Sequence, residues 1–445
     1  MESKMEDLMC QDDRDFIQPD FVDDTIRAYV RGRLQHDDAF EKWRSDPFVQ
    51  KEIERELVQR AHGEIRLAEC QLDTLQNCLD RRTLQKTLKS LPERIEEIYD
   101  RIVDGIDEDY FDYAIKLLQF LTYAERPLRL EEAVDILVVD PSRNPPFDFK
   151  SRMPNPRDIT RICPSLVSLV EVELDGVGET ILELQLAHFS VQQYLSPKRI
   201  DEDTLSENMS HKVTKLRGEL HETRTRASIT MICLAYLSHL AEECGTWGLC
   251  REQFPLAQYS AQYWMGHAKI AESEENVQKM ILSFFLQQKQ AYATWVELFD
   301  PWAQIYGGEM ATPLYFASLA NLRYTVENLL QRGADVHAQG GRYGSALQAA
   351  SYQGHKVVVQ LLLQKGANVN ALGGKYGSAL RAASSRGHED VVQLLLEKGA
   401  NANVGRDNAL QDHKTLLLLL EQRNMRALMM AREEAKLFEG SPEDR

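Results

Sequence analysis

Cys233, His239, Cys244 and Cys250 lie within eighteen residues of one another, and cysteine and histidine are side chains that zinc prefers. Structural zinc sites draw on tight pairs such as C-x2-C or H-x3-H, which present two ligands to the metal together. Here five, four and five residues intervene between successive candidates. The spacing favours buried core thiols, so we expect no metal and no other cofactor.

Nucleotide chemistry would require the string G-x-x-x-x-G-K-[ST], whose backbone N–H groups and lysine hold the phosphates. This string does not occur, and the glycine-lysine run at 373–376 has the wrong spacing and lies in a repeat loop. Residues 136–140 imitate the apolar strand and aspartate of a Walker B segment, but without a P-loop they better fit the end of a helix. A G-x-S-x-G nucleophile elbow is also missing from the sequence. We predict that the protein is not an enzyme and that nucleotide binding is not expected.

The most informative pattern is a repeat of 33 residues near the C-terminal end. Residues 341–373 align without a gap on residues 374–406 and are identical at 22 of 33 positions. This period is typical of ankyrin repeats, in which each unit buries its apolar face by stacking on a neighbour. Serine caps open the first helix of each unit, alanines keep it thin, and Gly-His pairs end it. A degenerate copy beginning at Thr312 gives about three repeats.

The loop tips and first helices of the repeats are predicted to bind a partner, because a rigid array presents variable side chains there. The tips carry Arg-Tyr and Lys-Tyr pairs, and tyrosine and arginine dominate interface energetics. The predicted partner-binding residues are Arg342, Tyr343, Gln348, Tyr352, Lys375, Tyr376, Arg381 and Arg386. A second interpretation is that both loop-tip tyrosines pack between neighbouring loops for stability.

The charge distribution separates the repeats from the rest of the chain. The net charge is −17, with 34 acidic and 20 basic residues over positions 1–140 but 5 acidic and 9 basic over 311–403. This asymmetry would steer acidic partners toward the repeats or let the two halves dock on each other. Direct nucleic-acid binding is not expected, because phosphate contacts need a positive field. Arg157 and Arg161 could belong to a recognition helix, but an acidic wing follows them.

The front part of the chain is predicted to be helical, with helices at Asp24–Gln35, Lys51–Ala61 and Gln71–Leu79 and another that Ser90 caps. Later helices precede two alternating segments, 168–174 and 181–187, around an Asp-Gly turn, which is typical of a hairpin. The predicted fold is mainly α, a helical and winged-helix region with a small β-hairpin followed by an α-solenoid. The predicted domains are an acidic disordered tail (1–20), a helical remnant (21–90), a winged helix (91–197), a helical linker domain (198–307), the ankyrin repeats (308–404) and a truncated repeat with a capping helix (405–445).

Several sequence blocks together resemble the C-terminal half of a fungal NACHT–ankyrin protein of the STAND class, the NLR-like signal-transducing ATPases. The blocks are Ala68–Asp73, Ser90–Tyr99, Leu186–Val191, Phe254–Tyr259 and the GGxYGSAL opening of the repeats. The winged-helix part is also similar to that of GPI inositol-deacylases. The resemblance covers roughly residues 20–410 and implies that residues 21–90 are the tail of a NACHT-type lid. The family's nucleoside-triphosphatase core would precede this stretch, and its P-loop has no counterpart here.

Two functions are consistent with these observations. The first is an intracellular interaction or scaffold protein, a regulatory relative of STAND proteins that binds a protein partner through its repeats. The second is a nuclear transcription co-regulator that uses the same surface. A decaying gene fragment is a third possibility.

The acidic opening does not resemble a signal peptide, and the leucine run at 416–420 is far shorter than the roughly 20 apolar residues of a membrane span. We therefore expect no membrane association and a cytoplasmic or nuclear location.

The missing P-loop generates a direct prediction. The purified full chain should hydrolyse ATP and GTP no faster than a blank without protein, because nothing in the sequence can cradle the phosphates. Phosphate release with Mg²⁺ measures this. Turnover that rises in proportion to protein concentration and survives repurification would contradict it.

Overall fold

A computed structural model describes residues 19–173, 178, 180–196, 209–243, 253–299 and 310–401. The described residues are mostly helical, with one small sheet and helical repeats at the end, so the predicted fold class is confirmed. Residues 1–18 of the predicted acidic tail and the predicted truncated repeat at 405–445 lie outside the described residues. The domain boundaries stay predictions.

The elements follow one another in this order. The helices are α1 (Pro19–His36), α2 (Pro47–Ala61), α3 (Ile65–Gln76), α4 (Arg81–Lys89), α5 (Ile95–Asp104), α6 (Glu108–Tyr123), α7 (Leu130–Val138), α8 (Phe189–Tyr194), α9 (His211–Glu219), α10 (Glu222–Glu243), α11 (Ala257–Ala271), α12 (Glu275–Leu286), α13 (Lys289–Phe299), α14 (Pro313–Leu319), α15 (Arg323–Gln331), α16 (Ala346–Tyr352), α17 (Lys356–Gln364), α18 (Ala379–Ser385) and α19 (Glu389–Glu397). The strands are β1 (Leu128–Arg129), β2 (Val167–Glu173) and β3 (Thr180–Leu186), and short 3-10 turns lie at Asp38–Trp43, Phe149–Ser151 and Pro156–Arg161.

The described parts of residues 19–111, 160–168 and 186–218 form one compact unit. Helices α1 to α4 pack around a core of buried aliphatic side chains with Phe40 and Trp43. Aspartates begin the later helices: Asp46 accepts from two backbone N–H groups of α2, and Asp80 accepts from Thr83 N at 2.9 Å. The predicted helix at Gln71–Leu79 was misplaced, because the chain must leave α3 before Asp80 can cap α4.

The predicted role of Ser90 was wrong. Ser90 is the C-terminal cap of α4, and its backbone N–H and its hydroxyl both donate to the carbonyl oxygen of Thr87. Helix α5 begins later, at Ile95. A residue before proline is pushed away from helical backbone angles, so Leu91 and Pro92 separate the two helices rather than join them.

The small sheet contains the predicted hairpin and one further strand. Its order is β1-β3-β2, and β1 pairs antiparallel with β3 so that Leu128 lies opposite Leu184. Two residues are too few to show an alternating pattern, which is why the sequence did not reveal β1. The segment at 136–140, which imitates a Walker B strand in sequence, is helical as far as Val138. This agrees with its interpretation as the end of a helix.

The described parts of residues 112–159, 169–185 and 219–401 form a second compact unit with its own core. Helix α10 is buried along most of its length and packs against α11, α12 and α13. A buried carboxylate of α7 lies beside it: Asp135 is inaccessible to solvent and accepts two hydrogen bonds, of 2.6 and 2.9 Å, from Arg152. Tyr236 donates a third hydrogen bond to the same carboxylate. Removing one partner of such a pair would leave a buried charge uncompensated.

The same hydrophobic core runs from these helices into the repeats without interruption. Trp295 of α13 contacts Phe316 of α14 edge-on, with ring centroids 4.7 Å apart. The buried carboxylate of Glu272 accepts a 2.6 Å hydrogen bond from the backbone N–H of Thr325, in the first turn of α15. An anion at a helix N-terminus is favoured by the unpaired N–H groups there. The helices before the repeats therefore supply the surface on which the first repeat stacks.

In the described part of the chain, no helix combines the length and the apolar composition that a bilayer crossing requires.

A buried histidine in this core makes stability depend on pH. His267 accepts a hydrogen bond from Arg226 at Nδ1 (3.0 Å) and lies 3.2 Å from the Tyr259 hydroxyl at Nε2. Burial, with Arg226 nearby, lowers its pKa to about 3. The unfolded chain keeps the ordinary pKa of about 6.5 and takes up the proton first, so stability is full above that pH and falls as pH drops toward 3.

Between pH 7 and pH 5, we expect this group to remove about 2 kcal/mol of unfolding free energy. Urea denaturation followed by tryptophan fluorescence at both pH values measures the loss. A His267→Gln variant keeps a donor and an acceptor but cannot titrate, so its loss should be smaller by that amount. Equal losses in the parent and the variant would show that His267 does not cause the pH dependence.

Candidate functional site

The first helix of each repeat begins at a hydroxyl cap, as predicted. The side chains of Thr312, Ser345 and Ser378 accept hydrogen bonds from the backbone N–H three residues later, at 3.3 to 3.4 Å. The alanines inside α16 and α18 are fully buried. Because the methyl side chain of alanine is small, the first helices of successive repeats pack closely together. The loops that precede these helices therefore lie on the same side of the stack.

The Gly-His pairs do more than end a helix. Nε2 of His355 hydrogen-bonds to the carbonyl oxygen of Leu319 (3.1 Å), and Nε2 of His388 hydrogen-bonds to that of Tyr352 (3.0 Å). Each histidine thus ties its repeat to the end of the first helix in the preceding repeat. Burial lowers the pKa of His355 to about 4, which keeps the ring neutral. This role was not recognised from the sequence, although both histidines recur at the repeat interval.

Neighbouring loop tips are also joined directly. The backbone N–H of Lys375 donates to the carbonyl oxygen of Arg342 at 2.9 Å. Gln348 is buried, and its amide donates to the carbonyl oxygen of Gly373 at 2.9 Å, which supports the next loop from behind. Tyr315 occupies the equivalent position one repeat earlier and accepts from the N–H of Tyr343 at 3.2 Å. Gln348 was predicted to contact a partner, and the structure instead places it beneath the loops.

Three tyrosine rings stack on one another at the loop tips. Tyr352 lies against Tyr343 with centroids 4.2 Å apart and against Tyr376 at 5.1 Å, and all three rings are within 26° of parallel. Tyr352 is buried, whereas Tyr343 and Tyr376 are half-buried. The stack spans two repeats, so the tyrosines contribute to the loop packing that the second interpretation of these residues anticipated.

Cations surround this stack. The guanidinium of Arg386 lies 4.5 Å from the ring centre of Tyr352 and donates a 2.5 Å hydrogen bond to its hydroxyl. The ammonium of Lys375 lies 5.3 Å from the ring centre of Tyr376. Cations over aromatic faces are attracted by the ring quadrupole. We call these six residues the tyrosine–cation patch: Arg342, Tyr343, Tyr352, Lys375, Tyr376 and Arg386.

The tyrosine hydroxyls of the patch are not equivalent. Burial, together with the neighbouring Tyr352, raises the pKa of Tyr343 to about 12, so its hydroxyl keeps its proton. Although burial opposes the shift, hydrogen bonds involving Tyr376 and Arg386 lower the pKa of Tyr352. The patch therefore combines tyrosine hydroxyls of different acidity with cationic side chains that lie beside the stacked rings.

Six of the eight predicted partner-binding residues thus lie together. Gln348 lies behind them, and Arg381 is half-buried on α18 at the position that Gln348 occupies in the preceding repeat. The stacking could not be read from residue types, because Tyr352 sits on a helix and the other two tyrosines sit in loops. A tyrosine at the same loop position in two successive repeats was the available signal.

The candidate metal ligands do not form a described cluster. Cys233 and His239 are buried, and burial raises the pKa of Cys233 to about 12, which makes it a poor ligand and a poor nucleophile. Cys244 and Cys250 lie outside the described residues. Within the described ranges, no group of three histidine, cysteine or acidic side chains is placed to hold a metal ion.

A cavity of about 640 Å³ lies beside the loop after α7, and Lys116 and His239 are among the side chains that line it. The ammonium of Lys116 donates to the carbonyl oxygens of Leu137 and Val139, at 3.2 and 2.6 Å. These are carbonyls of the last helical turn and the residue after it, which lysine commonly satisfies. The contacts indicate a helix cap.

A comparison with known protein families agrees with the repeat architecture. A family model described as ankyrin repeats, three copies, matches residues 314–406. The chain therefore contains ankyrin repeats. It is also 35% identical over 259 residues to azaphilone pigments biosynthesis cluster protein L of Monascus ruber, a match that covers 56% of this chain and 52% of that protein. The chain thus spans about half the length of this relative.

The close approach of the loop tips leaves no room for a β-carbon at Gly344. Gly344 has φ +103°, and a β-carbon there would lie 2.5 Å from Oε1 of Gln348 and 2.8 Å from the backbone of Gly373. Gly366 has a similar φ of +92° with open space around it. Gly366→Ala should cost about 1 kcal/mol of unfolding free energy from backbone strain, and Gly344→Ala about 3 kcal/mol because the loops must also move apart.

Urea denaturation monitored by helical circular dichroism compares the two variants. Equal costs would show that the loop tips do not pack as closely as described.

Proposed function

We propose that this chain is a non-enzymatic binding protein that holds a protein partner on the tyrosine–cation patch of its ankyrin repeats. The observation that carries the proposal is the patch itself: three stacked tyrosines and three exposed cations, on adjacent loops and at the ends of the first helices. Tyrosine and arginine are the residues that most often dominate binding energy. Because the hydrophobic core is continuous through the repeats, a partner would meet a surface that is already ordered, which lowers the entropy cost of binding.

The absence of catalysis is part of the proposal. Three buried groups with shifted pKa values are engaged in structural contacts: His267 between Arg226 and Tyr259, Asp135 with Arg152, and Glu272 at a helix end. Their pKa shifts arise mainly from burial in a packed core. Buried structural networks shift pKa values as active sites do, so packing in the core accounts for these shifts without a catalytic role.

We further propose that the protein is an intracellular scaffold or regulator related to STAND proteins. Support comes from the order of α5, α6 and α7 followed by the β2–β3 hairpin, as a winged helix would have it, and from the repeats that follow. The name of the Monascus ruber relative refers to a biosynthesis cluster and states no molecular activity. The proposal therefore rests on the repeats rather than on that name.

A matched pair of variants tests the proposed binding surface. Arg342→Ala, Lys375→Ala and Tyr376→Ala together remove two cations and a tyrosine from the patch. The control combines Lys356→Ala, Lys365→Ala and Tyr324→Ala, which likewise removes two cations and a tyrosine, from exposed positions on or at the end of second helices. We expect the amount of each specific partner captured by the patch variant to fall about tenfold or more. The reason is that a few clustered contact residues carry most of the binding energy.

Affinity capture with the tagged full chain, quantified by mass spectrometry against the parent, measures this loss. Circular dichroism must show equal helicity in both variants. Unchanged capture by the patch variant, or equal loss in the control, would contradict the proposal.

A further inference from the structure

The middle of the ankyrin region carries positive charge with no acidic residue among it. Between Asp335 and Glu389 the sequence contains no aspartate or glutamate. The same stretch contains six basic residues: Arg342, Lys356, Lys365, Lys375, Arg381 and Arg386. The whole protein has a net charge of −17, whereas this stretch is positively charged. A local field of this kind attracts acidic groups in spite of the overall charge.

Three of the six cations converge on the tyrosine stack. Arg342 and Lys375 lie on adjacent loops that a backbone hydrogen bond joins, and Arg386 lies over the ring of Tyr352. All three side chains are exposed. No carboxylate among the described residues forms an ion pair with any of them. Glu389 and Asp390 follow Arg386 in the first turn of α19, where the unpaired N–H groups of the helix favour them.

The geometry favours carboxylates over nucleic acid bases. Bases bind to aromatic side chains by stacking on an open ring face. Here the rings already stack on one another with centroids 4.2 to 6.2 Å apart, and Arg386 and Lys375 lie over the rings of Tyr352 and Tyr376. The groups left to contact a ligand are the tyrosine hydroxyls and the guanidinium and ammonium groups. Such groups bind anionic oxygens through charge-assisted hydrogen bonds.

We propose that the tyrosine–cation patch recognises an acidic segment of its partner protein, with aspartate or glutamate carboxylates received by Arg342, Lys375 and Arg386. This inference rests on the proposed function and specifies the chemistry of the partner. The stacked tyrosines hold the loops of two successive repeats together, so that the three cations present a fixed spacing. The segment is extended, since it must span two neighbouring loop tips.

Three fluorescein-labelled probes test the proposal with the full chain. The first is a peptide of about twelve residues that alternates glutamate and serine. The second replaces each glutamate by glutamine, and the third is a single-stranded oligothymidylate of similar length. Fluorescence anisotropy at about 20 mM and about 150 mM salt should show binding of the glutamate peptide that weakens as salt screens exposed charges. The glutamine peptide should not bind.

Two variants with the same change in net charge locate the binding. The patch variant is Arg342→Gln, Lys375→Gln and Arg386→Gln, and the control is Lys356→Gln, Lys365→Gln and Lys398→Gln at exposed positions on or at the end of second helices. The patch variant should lose about tenfold or more in affinity for the glutamate peptide, and the control less than about twofold. An equal loss in both, no binding by the parent, equal binding of the glutamine peptide, or tighter binding of the oligonucleotide would each overturn the proposal.

A failure of this inference can be distinguished from a failure of the proposed function. If the patch–glutamine variant still captures the partner while the alanine variant of Arg342, Lys375 and Tyr376 loses it, the repeats bind a partner but not through its acidic groups. If neither variant loses the partner, the proposed function fails as well.

Discussion

The structure of the repeat region depends on one constraint: a single ankyrin unit cannot bury its own apolar face and must stack on a neighbour. In this chain the first neighbour is the bundle of α10 to α13, whose Trp295 and Glu272 contact the first repeat. Each later repeat stacks on the one before, with alanine-lined helices, a histidine bonded to the previous repeat and interlocked loop tips. One hydrophobic core consequently extends from α6 to the last described repeat.

This constraint also decides what the repeats can display. Residues that hold the stack together point into it, as Gln348 does when it binds the carbonyl of Gly373. Residues at the loop tips, and Tyr352 at the end of α16, can serve two purposes. Tyr343, Tyr352 and Tyr376 pack against one another and, in doing so, fix the positions of the cations around them. The two interpretations of the loop tyrosines, packing and binding, are therefore compatible.

Much of this architecture follows from the sequence, and the exceptions have physical reasons. The repeat period, the serine caps and the thin alanine helices are local features that repeat, so they identify the solenoid. Contacts between repeats are harder to foresee, because the bond from His355 to Leu319 and the ring stack involve residues far apart in the sequence. Gln348 differs from Arg381 at the same repeat position, which suggested a variable surface, but burial at that position depends on the loop that follows. Strand β1 is too short to leave a pattern.

In the function proposed for this chain, a protein partner binds at the loop tips of the repeats. Hydrogen–deuterium exchange of the full chain, with and without a captured partner, tests it most directly. We expect slower exchange in the loop and helix segments 342–353 and 375–386, with little change in residues 19–111. Protection restricted to residues 19–111, with exchange in the repeats unaltered, would contradict it.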